Sequence, residues 1–194
     1  ELVPGPWMFP SAEERAVAAA RTAGMKRPFL GVAALARHRL KTWPPGKMEA
    51  MLRILISRKE CTLFLFGSPD ESAAVDEIAA RVPGAISMAG KISLEGEIAL
   101  IADLDLMVAM DSSNMHLASM LGTDTLSIWG ATHPRAGFSA WGMPPENQIQ
   151  IPDTELTCRP CTIYGKGTCR RGDLACLEWL TPEMVLQKIL NKLK

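Results

Sequence analysis

The stretch LDLMVAMDSSNMHLASMLGTDTLSIWG, residues 104–130, decides the fold class. It contains an apolar run of strand length at 104–110, apolar residues at helical spacing over 113–121, and a second apolar run at 124–130. Gly122 follows the helical segment, and glycine commonly ends helices. A strand, a helix and a strand in this order form a βαβ unit, and such units build parallel sheets. The stretch therefore predicts an α/β protein.

The same alternation continues on both sides of this stretch. The strand segments are continuous apolar runs, as expected of strands covered by helices on both faces: residues 28–35, 61–67, 84–90, 104–110, 124–130 and 147–151. The helical segments between them are residues 44–59, 69–82, 93–103 and 113–121. The pattern predicts a Rossmann-like parallel sheet of about six strands flanked by helices, with ligands bound beyond the carboxyl ends of the strands.

Both ends of the chain depart from this alternation. Residues 1–27 are a proline-rich lead-in with a helical segment, and residues 152–194 hold an irregular cysteine-rich segment and a last helix. Thr181 and Pro182 suit the N-cap and the first position of that helix. We therefore expect a lead-in at 1–27, a Rossmann-like domain at 28–151, and a segment at 152–194 that packs on the same domain.

Composition argues against several classes of function. Lys plus Arg and Asp plus Glu each number 21, so the net charge is zero, which argues against non-specific binding of nucleic acid. No apolar run reaches about 18 residues, so no transmembrane segment is expected. The start ELVPGPWMFP is no signal peptide, and its lack of Met predicts a fragment or a processed piece. There is neither a GxGxxG after the first strand nor a P-loop.

Polar residues follow three of the predicted strands. ARHRLKTWPP (36–45) follows the first strand and contains Lys41, and FGSPDE (66–71) follows the second and contains Glu71. MDSSNMH (110–116) follows the fourth and contains Asp111, Ser112, Ser113 and His116. Because parallel strands end on the same edge of a sheet, we expect the three groups to surround one crevice.

These residue types suit a nucleotide-sugar. Helix N-termini favour phosphate, and Ser112 or Ser113 can cap the helix and donate to phosphate oxygens. Lys41 and its arginine neighbours can neutralise a diphosphate. Glu71 can accept two ribose hydroxyls, and Asp111 can hold sugar hydroxyls or fix the turn.

Each feature also has a purely structural interpretation. Ser or Asp before a helix commonly serves only as a cap. His116 on a helix is commonly a packed or capping histidine, and the basic run at 37–41 is commonly solvated surface. None of these features alone decides the function.

The cysteines leave several alternatives open. Cys61 lies alone in an apolar run, which is typical of a buried reduced thiol. The other four have the spacing Cys-x2-Cys-x7-Cys-x6-Cys: Cys158, Cys161, Cys169 and Cys176. Four thiolates suffice for zinc, although the second pair lacks the spacing of a standard ribbon. Reduced structural thiols or, in an oxidising compartment, disulfides are the alternatives.

Taken together, these residues resemble glycosyltransferase family 9, the ADP-heptose:lipopolysaccharide heptosyltransferases. The matching elements are RLKTWPP (39–45), LFLFGSPDE (63–71), the cysteine run with CLEWLTPEMV (176–185), and SMAGKISLEGEIALIADLDLMVAMDSSNMHLASMLGTDTLSIWGATHP (87–134). Their order and spacing agree over about residues 28–190.

The resemblance implies a GT-B enzyme of two Rossmann-like domains, of which this chain resembles the C-terminal, donor-binding one. It assigns the donor phosphates to Lys41 and the ribose to Glu71. It assigns the donor's phosphates and heptose to a helix start made of Asp111, Ser112, Ser113 and His116. The chain departs from the family at Ser113, where glycine is usual, and at Ala36 and Arg37, where hydroxyl residues are common.

The implied reaction is inverting transfer of a sugar from ADP-heptose, or a related ADP-sugar, to a lipopolysaccharide core acceptor. No metal or other cofactor is expected, because basic residues and helix N-termini neutralise the leaving diphosphate. The base would lie in an N-terminal domain, so this chain alone is expected to bind nucleotide without transferring sugar. The resemblance also implies a cytoplasmic location, free or peripheral at the inner membrane.

Two other functions stay open. One is a different GT-B nucleotide-sugar enzyme, such as an epimerase. The other is a metal-stabilised binding module centred on the cysteine run at 158–176.

Overall fold

Six parallel strands form one sheet in the computed structural model, which describes residues 5–194. The strands are β1 (Phe29–Ala33), β2 (Thr62–Phe66), β3 (Ala85–Ser87), β4 (Leu106–Met110), β5 (Thr125–Ile128) and β6 (Gln148–Ile149). Every neighbouring pair is parallel. The predicted α/β class and the six-stranded sheet are confirmed, although each strand is shorter than its apolar segment.

The helices alternate with the strands. They are α1 (Ala12–Thr22), α2 (Pro45–Arg58), α3 (Ser72–Arg81), α4 (Leu94–Ala102), α5 (Ser113–Leu121), α6 (Ala175–Glu178) and α7 (Pro182–Lys192). Gly122 ends α5 in the left-handed conformation, and the hydroxyl of Thr181 accepts from the backbone N–H of Met184 at the start of α7. The C-terminal end of α5 and the N-terminal end of α7 are therefore capped as the sequence predicts.

Helices cover both faces of the sheet. Helices α2, α3 and α7 contribute Leu52, Val75 and Ile189 to an apolar cluster on one face. Helices α4 and α5 contribute Leu100 and Met115 to the cluster on the other, and α1 packs outside α4. Every residue of β1 and β4 is buried, which explains why their sequences are apolar without alternation.

Two segments differ from expectation. The helix expected over 69–82 begins as a 3₁₀ turn, Pro69–Glu71, before α3. The segment 152–180, expected to be irregular, contains α6, whose four residues are too few for a recognisable period. Residues 1–4 of the lead-in lie outside the described residues, and the expected domain limits stay predictions.

The strand order contains a topological switch point. It runs β3-β2-β1-β4-β5-β6, so the chain leaves β1 toward one side of the sheet and later returns to the other side through β4. Ligands of open α/β sheets bind at such a switch point, beyond the carboxyl ends of the strands. Among residues 5–194, no helix has the length and apolar character needed to cross a membrane.

Candidate functional site

The carboxyl ends of three neighbouring strands carry the three predicted groups. Lys41 closes a 3₁₀ turn after β1, Glu71 closes another after β2, and Asp111 directly follows β4. Because β1 lies between β2 and β4 and all three are parallel, these ends open on one edge of the sheet. The structure therefore places all three groups on the same edge of the sheet, with Lys41 and Asp111 at the switch point between β1 and β4 and Glu71 one strand further out.

Lys41 and Asp111 form a buried ion pair. Nζ of Lys41 lies 2.9 Å from Oδ2 of Asp111, and the two side chains are only 13% and 4% exposed. The same Oδ2 accepts a hydrogen bond of 2.8 Å from the hydroxyl of Thr132. Losing one member of a buried pair costs about 3–5 kcal/mol, because the remaining charge is uncompensated. The Lys41–Asp111 pair thus holds an ammonium group at the sheet edge.

His116 lies in the first half of α5, near this ion pair. Burial lowers the pKa of His116, while Asp111 raises it and Lys41 lowers it further. A lowered pKa keeps the imidazole neutral at neutral pH, with one nitrogen as donor and one as acceptor. His116 therefore adds a neutral hydrogen-bonding group to the edge rather than another charge.

The hydroxyl of Ser112 is buried and has no hydrogen-bond partner among residues 5–194. Ser112 occupies the N-cap position of α5, yet its side chain accepts nothing from the first turn, so the expectation that it caps the helix is wrong. Ser113 is the first residue of α5 and is exposed, so it is not the cap either. An unpaired buried hydroxyl costs about 1–3 kcal/mol. Ser112 is therefore a group that a ligand can satisfy.

Glu71 has a local structural role at the same edge. Its Oε2 accepts hydrogen bonds from the backbone N–H of Ser68 at 2.8 Å and from the Ser68 hydroxyl at 2.9 Å. This is a capping box, which fixes the turn after β2. Within residues 5–194, Glu71 makes no hydrogen bond or ion pair with Lys41 or Asp111. The structure thus brings Lys41, Asp111 and His116 together and leaves Glu71 separate, beyond β2.

Comparison with known proteins identifies the family. The family model described as glycosyltransferase family 9 (heptosyltransferase) matches residues 4–166. The chain belongs to this family. A comparison with curated proteins gave no significant match.

Three solved structures share the fold of this family 9 chain. ADP-heptose LPS heptosyltransferase II of E. coli is 22% identical with a TM-score of 0.73, over 100% of this chain and 55% of its own. A family 9 glycosyltransferase of Veillonella parvula is 17% identical with a TM-score of 0.73, and the match covers 96% of this chain and 53% of that protein. The E. coli heptosyltransferase WaaC, solved with ADP, is 21% identical with a TM-score of 0.62, and the match covers 91% of this chain and 49% of that protein. The chain thus spans about half the length of the structures it matches.

The cysteines of the family 9 chain are all free within the described residues. Burial raises the pKa of Cys176 to about 11. Burial also raises the pKa of Cys169, but the backbone N–H groups of residues 174, 172 and 171 outweigh it, and the pKa falls below its ordinary value. No three His, Cys, Asp or Glu side chains of residues 5–194 are arranged to hold a metal ion.

Three residues near the site are not among the predicted site residues. Thr132 follows β5 in WGATHP, which was noted only as a family feature, although its position after a strand marks it as an edge residue. Phe138 lies further along the same loop, with the ammonium of Lys41 5.4 Å from its ring centroid. Arg159 is buried beside the same loop and donates to the carbonyl of Thr132 at 3.0 Å. Nothing in the sequence distinguishes Arg159 from the exposed arginines near it.

Proposed function

We propose that this family 9 chain binds the ADP-sugar donor of an inverting glycosyltransferase, with ADP-heptose as the donor class. Two observations carry the proposal: the buried, unpartnered hydroxyl of Ser112, which directly follows Asp111 in the chain, and the Lys41–Asp111 ion pair. A diphosphate would supply an acceptor for that hydroxyl and an anion for Lys41. The structure of WaaC contains ADP, which supports ADP as the nucleotide.

Each group has a distinct task in the proposed site. Lys41 and the N-terminal N–H groups of α5 stabilise negative charge on the diphosphate as it leaves. His116, neutral at pH 7, hydrogen-bonds the donor's sugar. Glu71, with Oε2 held by Ser68, presents Oε1 to the ribose. Ser113, where the family favours glycine, extends into solvent and leaves the approach to the α5 backbone open.

Calorimetry on the isolated chain tests the proposal. ADP should bind, and NAD and UDP should bind more weakly. Loss of a hydrogen bond to a charged group costs about 1.5–3 kcal/mol, so Lys41→Met and Glu71→Ala should each weaken ADP binding by about tenfold or more. Absence of ADP binding, or binding that both variants leave unchanged, would contradict it.

Matched controls come from the opposite edge of the sheet. Lys26 and Glu60 have the same residue types as Lys41 and Glu71, but they precede β1 and β2, pair with each other and are well exposed. Lys26→Met and Glu60→Ala should leave ADP affinity unchanged. Because Lys41→Met leaves the Asp111 carboxylate buried without its partner, the double variant Lys41→Met/Asp111→Asn serves as the stable form.

We further propose that sugar transfer needs the other half of a GT-B enzyme. The chain spans about half the length of each of the three solved structures compared above. The acceptor would be a lipopolysaccharide core sugar, in keeping with the name of the E. coli ADP-heptose LPS heptosyltransferase II. The compartment would be the cytoplasm, as the resemblance to family 9 implies. Release of ADP from ADP-heptose by residues 1–194 alone, with acceptor present, would contradict this part.

A further inference from the structure

The segment 161–167, here called the cysteine loop, contains none of the residues that contact the donor in the function proposed above. It begins in the cysteine run and contains Tyr164 and two glycines, Gly165 and Gly167. Its place in the fold gives it a role that its cysteines alone do not indicate.

The cysteine loop is fixed to the loop that follows β5. The backbone N–H of Cys161 donates to the carbonyl of Ala131 at 2.9 Å. Arg159, two residues before Cys161, is buried, with only 8% of its surface exposed. Its guanidinium donates to the carbonyls of Gly130 at 2.6 Å, Thr132 at 3.0 Å and Ile151 at 3.0 Å. These bonds anchor the loop to the strand end that also supplies Thr132 to Asp111.

From this anchor the loop runs directly against Lys41. A Cβ atom at Gly165 would lie 2.7 Å from Cγ and 2.9 Å from Cε of Lys41, closer than atoms pack without one of them moving. The ring of Tyr164 meets that of Phe138 edge-on, with 5.7 Å between centroids. Phe138 in turn lies under the ammonium of Lys41. Lys41 is therefore bounded by the backbone of Gly165, the ring of Phe138 and the carboxylate of Asp111.

We propose that the cysteine loop positions Lys41 for the donor diphosphate, with Gly165 as the positioning residue; the inference rests on the function proposed above. A free lysine side chain carries about 2 kcal/mol of rotamer entropy, which a ligand must otherwise overcome when it fixes the ammonium. The loop fixes the stem in advance. Only glycine allows the backbone this close, so a side chain at 165 displaces Lys41 from Asp111.

Gly167 provides a matched control within the same loop. Gly165 has φ +80° and Gly167 has φ +96°, so both are in the left-handed region and an alanine is strained at either. A Cβ at Gly167, unlike one at Gly165, meets nothing within 4 Å. Gly165→Ala and Gly167→Ala therefore share the backbone cost, and only the first touches Lys41.

The test measures ADP and adenosine affinity of both variants by calorimetry. Gly165→Ala should weaken ADP binding by about five- to tenfold, because displacing Lys41 removes part of a charge-assisted hydrogen bond to the diphosphate. The same variant should leave adenosine binding unchanged, because adenosine has no phosphate. Gly167→Ala should change neither affinity. In a Lys41→Met background, Gly165→Ala should cause no further loss, because residues that act through one group are not additive.

Several results would overturn the inference. Equal losses in the two glycine variants would show a general effect of loop strain, and a further loss in the Lys41→Met background would show that Gly165 acts elsewhere. If Lys41→Met weakens ADP binding while Gly165→Ala does not, the loop inference fails and the proposed donor site stands. If ADP does not bind at all, the donor site itself fails.

A second readout needs no nucleotide. The rate at which an amine-reactive reagent modifies Lys41, followed by mass spectrometry, should rise in Gly165→Ala and stay at the wild-type value in Gly167→Ala. An unchanged rate in Gly165→Ala would contradict the positioning role independently of ADP.

Discussion

Lys41 and Asp111 are far apart in the chain and meet because β1 and β4 are neighbours in the sheet. Their residue types and their positions after apolar strands were readable from the sequence. Their ion pair was not readable, because it depends on the strand order, and its hydrogen-bond partner Thr132 lies in the loop after a third strand, β5. The conformation of Ser112 was likewise unpredictable, since a serine before a helix normally caps it.

His116 should make stability depend on pH. Its folded-state pKa lies below the ordinary value, so as pH falls below about 6.5 the unfolded chain takes up the proton first and folding stability decreases. One such group changes the slope of the free energy of unfolding against pH by at most about 1.4 kcal/mol per pH unit. Urea unfolding between about pH 7.5 and 5 should show a smaller decline for His116→Gln than for the wild type. If the free energy of unfolding declines equally in both proteins, the pKa of His116 is not lowered by folding.

Cys169 should be the most reactive thiol of the cysteine run. Its lowered pKa gives it more thiolate at neutral pH, whereas Cys176, buried and with a pKa of about 11, stays protonated. Brief treatment with iodoacetamide, followed by peptide mass spectrometry, should label Cys169 first and Cys176 only after denaturation. Labelling of Cys176 ahead of Cys169 in the folded protein would oppose this order.

At the scale of elements, the sequence placed every strand and all the longer helices but missed their ends. Strand ends depend on which backbone groups find a partner, and β6, for example, pairs over only two residues. Pro69 lacks a backbone N–H, and the chain turns through a 3₁₀ turn there before α3 begins. Neither the pairing at strand ends nor the turn at Pro69 changes the spacing of apolar residues, which is the signal from which strands and helices are predicted.

The close packing of β1 against its neighbours should make Gly31 intolerant of a side chain. A Cβ there would meet Leu104, and would lie 2.9 Å from Cε2 of Phe66 and 3.2 Å from Cε of Met107, all in the core. Gly31→Ala should lower the free energy of unfolding by about 1–3 kcal/mol. Urea denaturation measures this effect.

Gly46 in α2 supplies the matched control for Gly31. A Cβ at Gly46 meets nothing within 4 Å, so Gly46→Ala should be neutral or stabilise the protein by up to about 1 kcal/mol. A Gly31→Ala variant as stable as Gly46→Ala would show that the sheet is less tightly packed than described.

At the scale of the whole molecule, the parallel sheet and its switch point follow from the alternation of strands and helices. The family follows from the match over residues 4–166. What the pattern could not supply is the arrangement inside the crevice. The cysteine run illustrates this, because its spacing suggested a metal or disulfides, whereas its loop lies against Lys41. That contact joins segments distant in the sequence.

A concavity elsewhere on the molecule offers an alternative place for a nucleotide to bind. A cavity of about 190 Å³ lies at the opposite edge of the sheet, where Asp124, Thr125, Trp141 and Asn147 line it. Oδ1 of Asn147 is buried there without a partner among the described residues. A ligand bound at that edge would be far from Lys41 and Asp111.

A crystal structure of the chain with ADP tests the donor site most directly. Diphosphate oxygens should lie within hydrogen-bond distance, about 3 Å, of both Nζ of Lys41 and Oγ of Ser112. ADP found at the opposite edge beside Trp141, or at the crevice with the Ser112 hydroxyl still unpartnered, would contradict it.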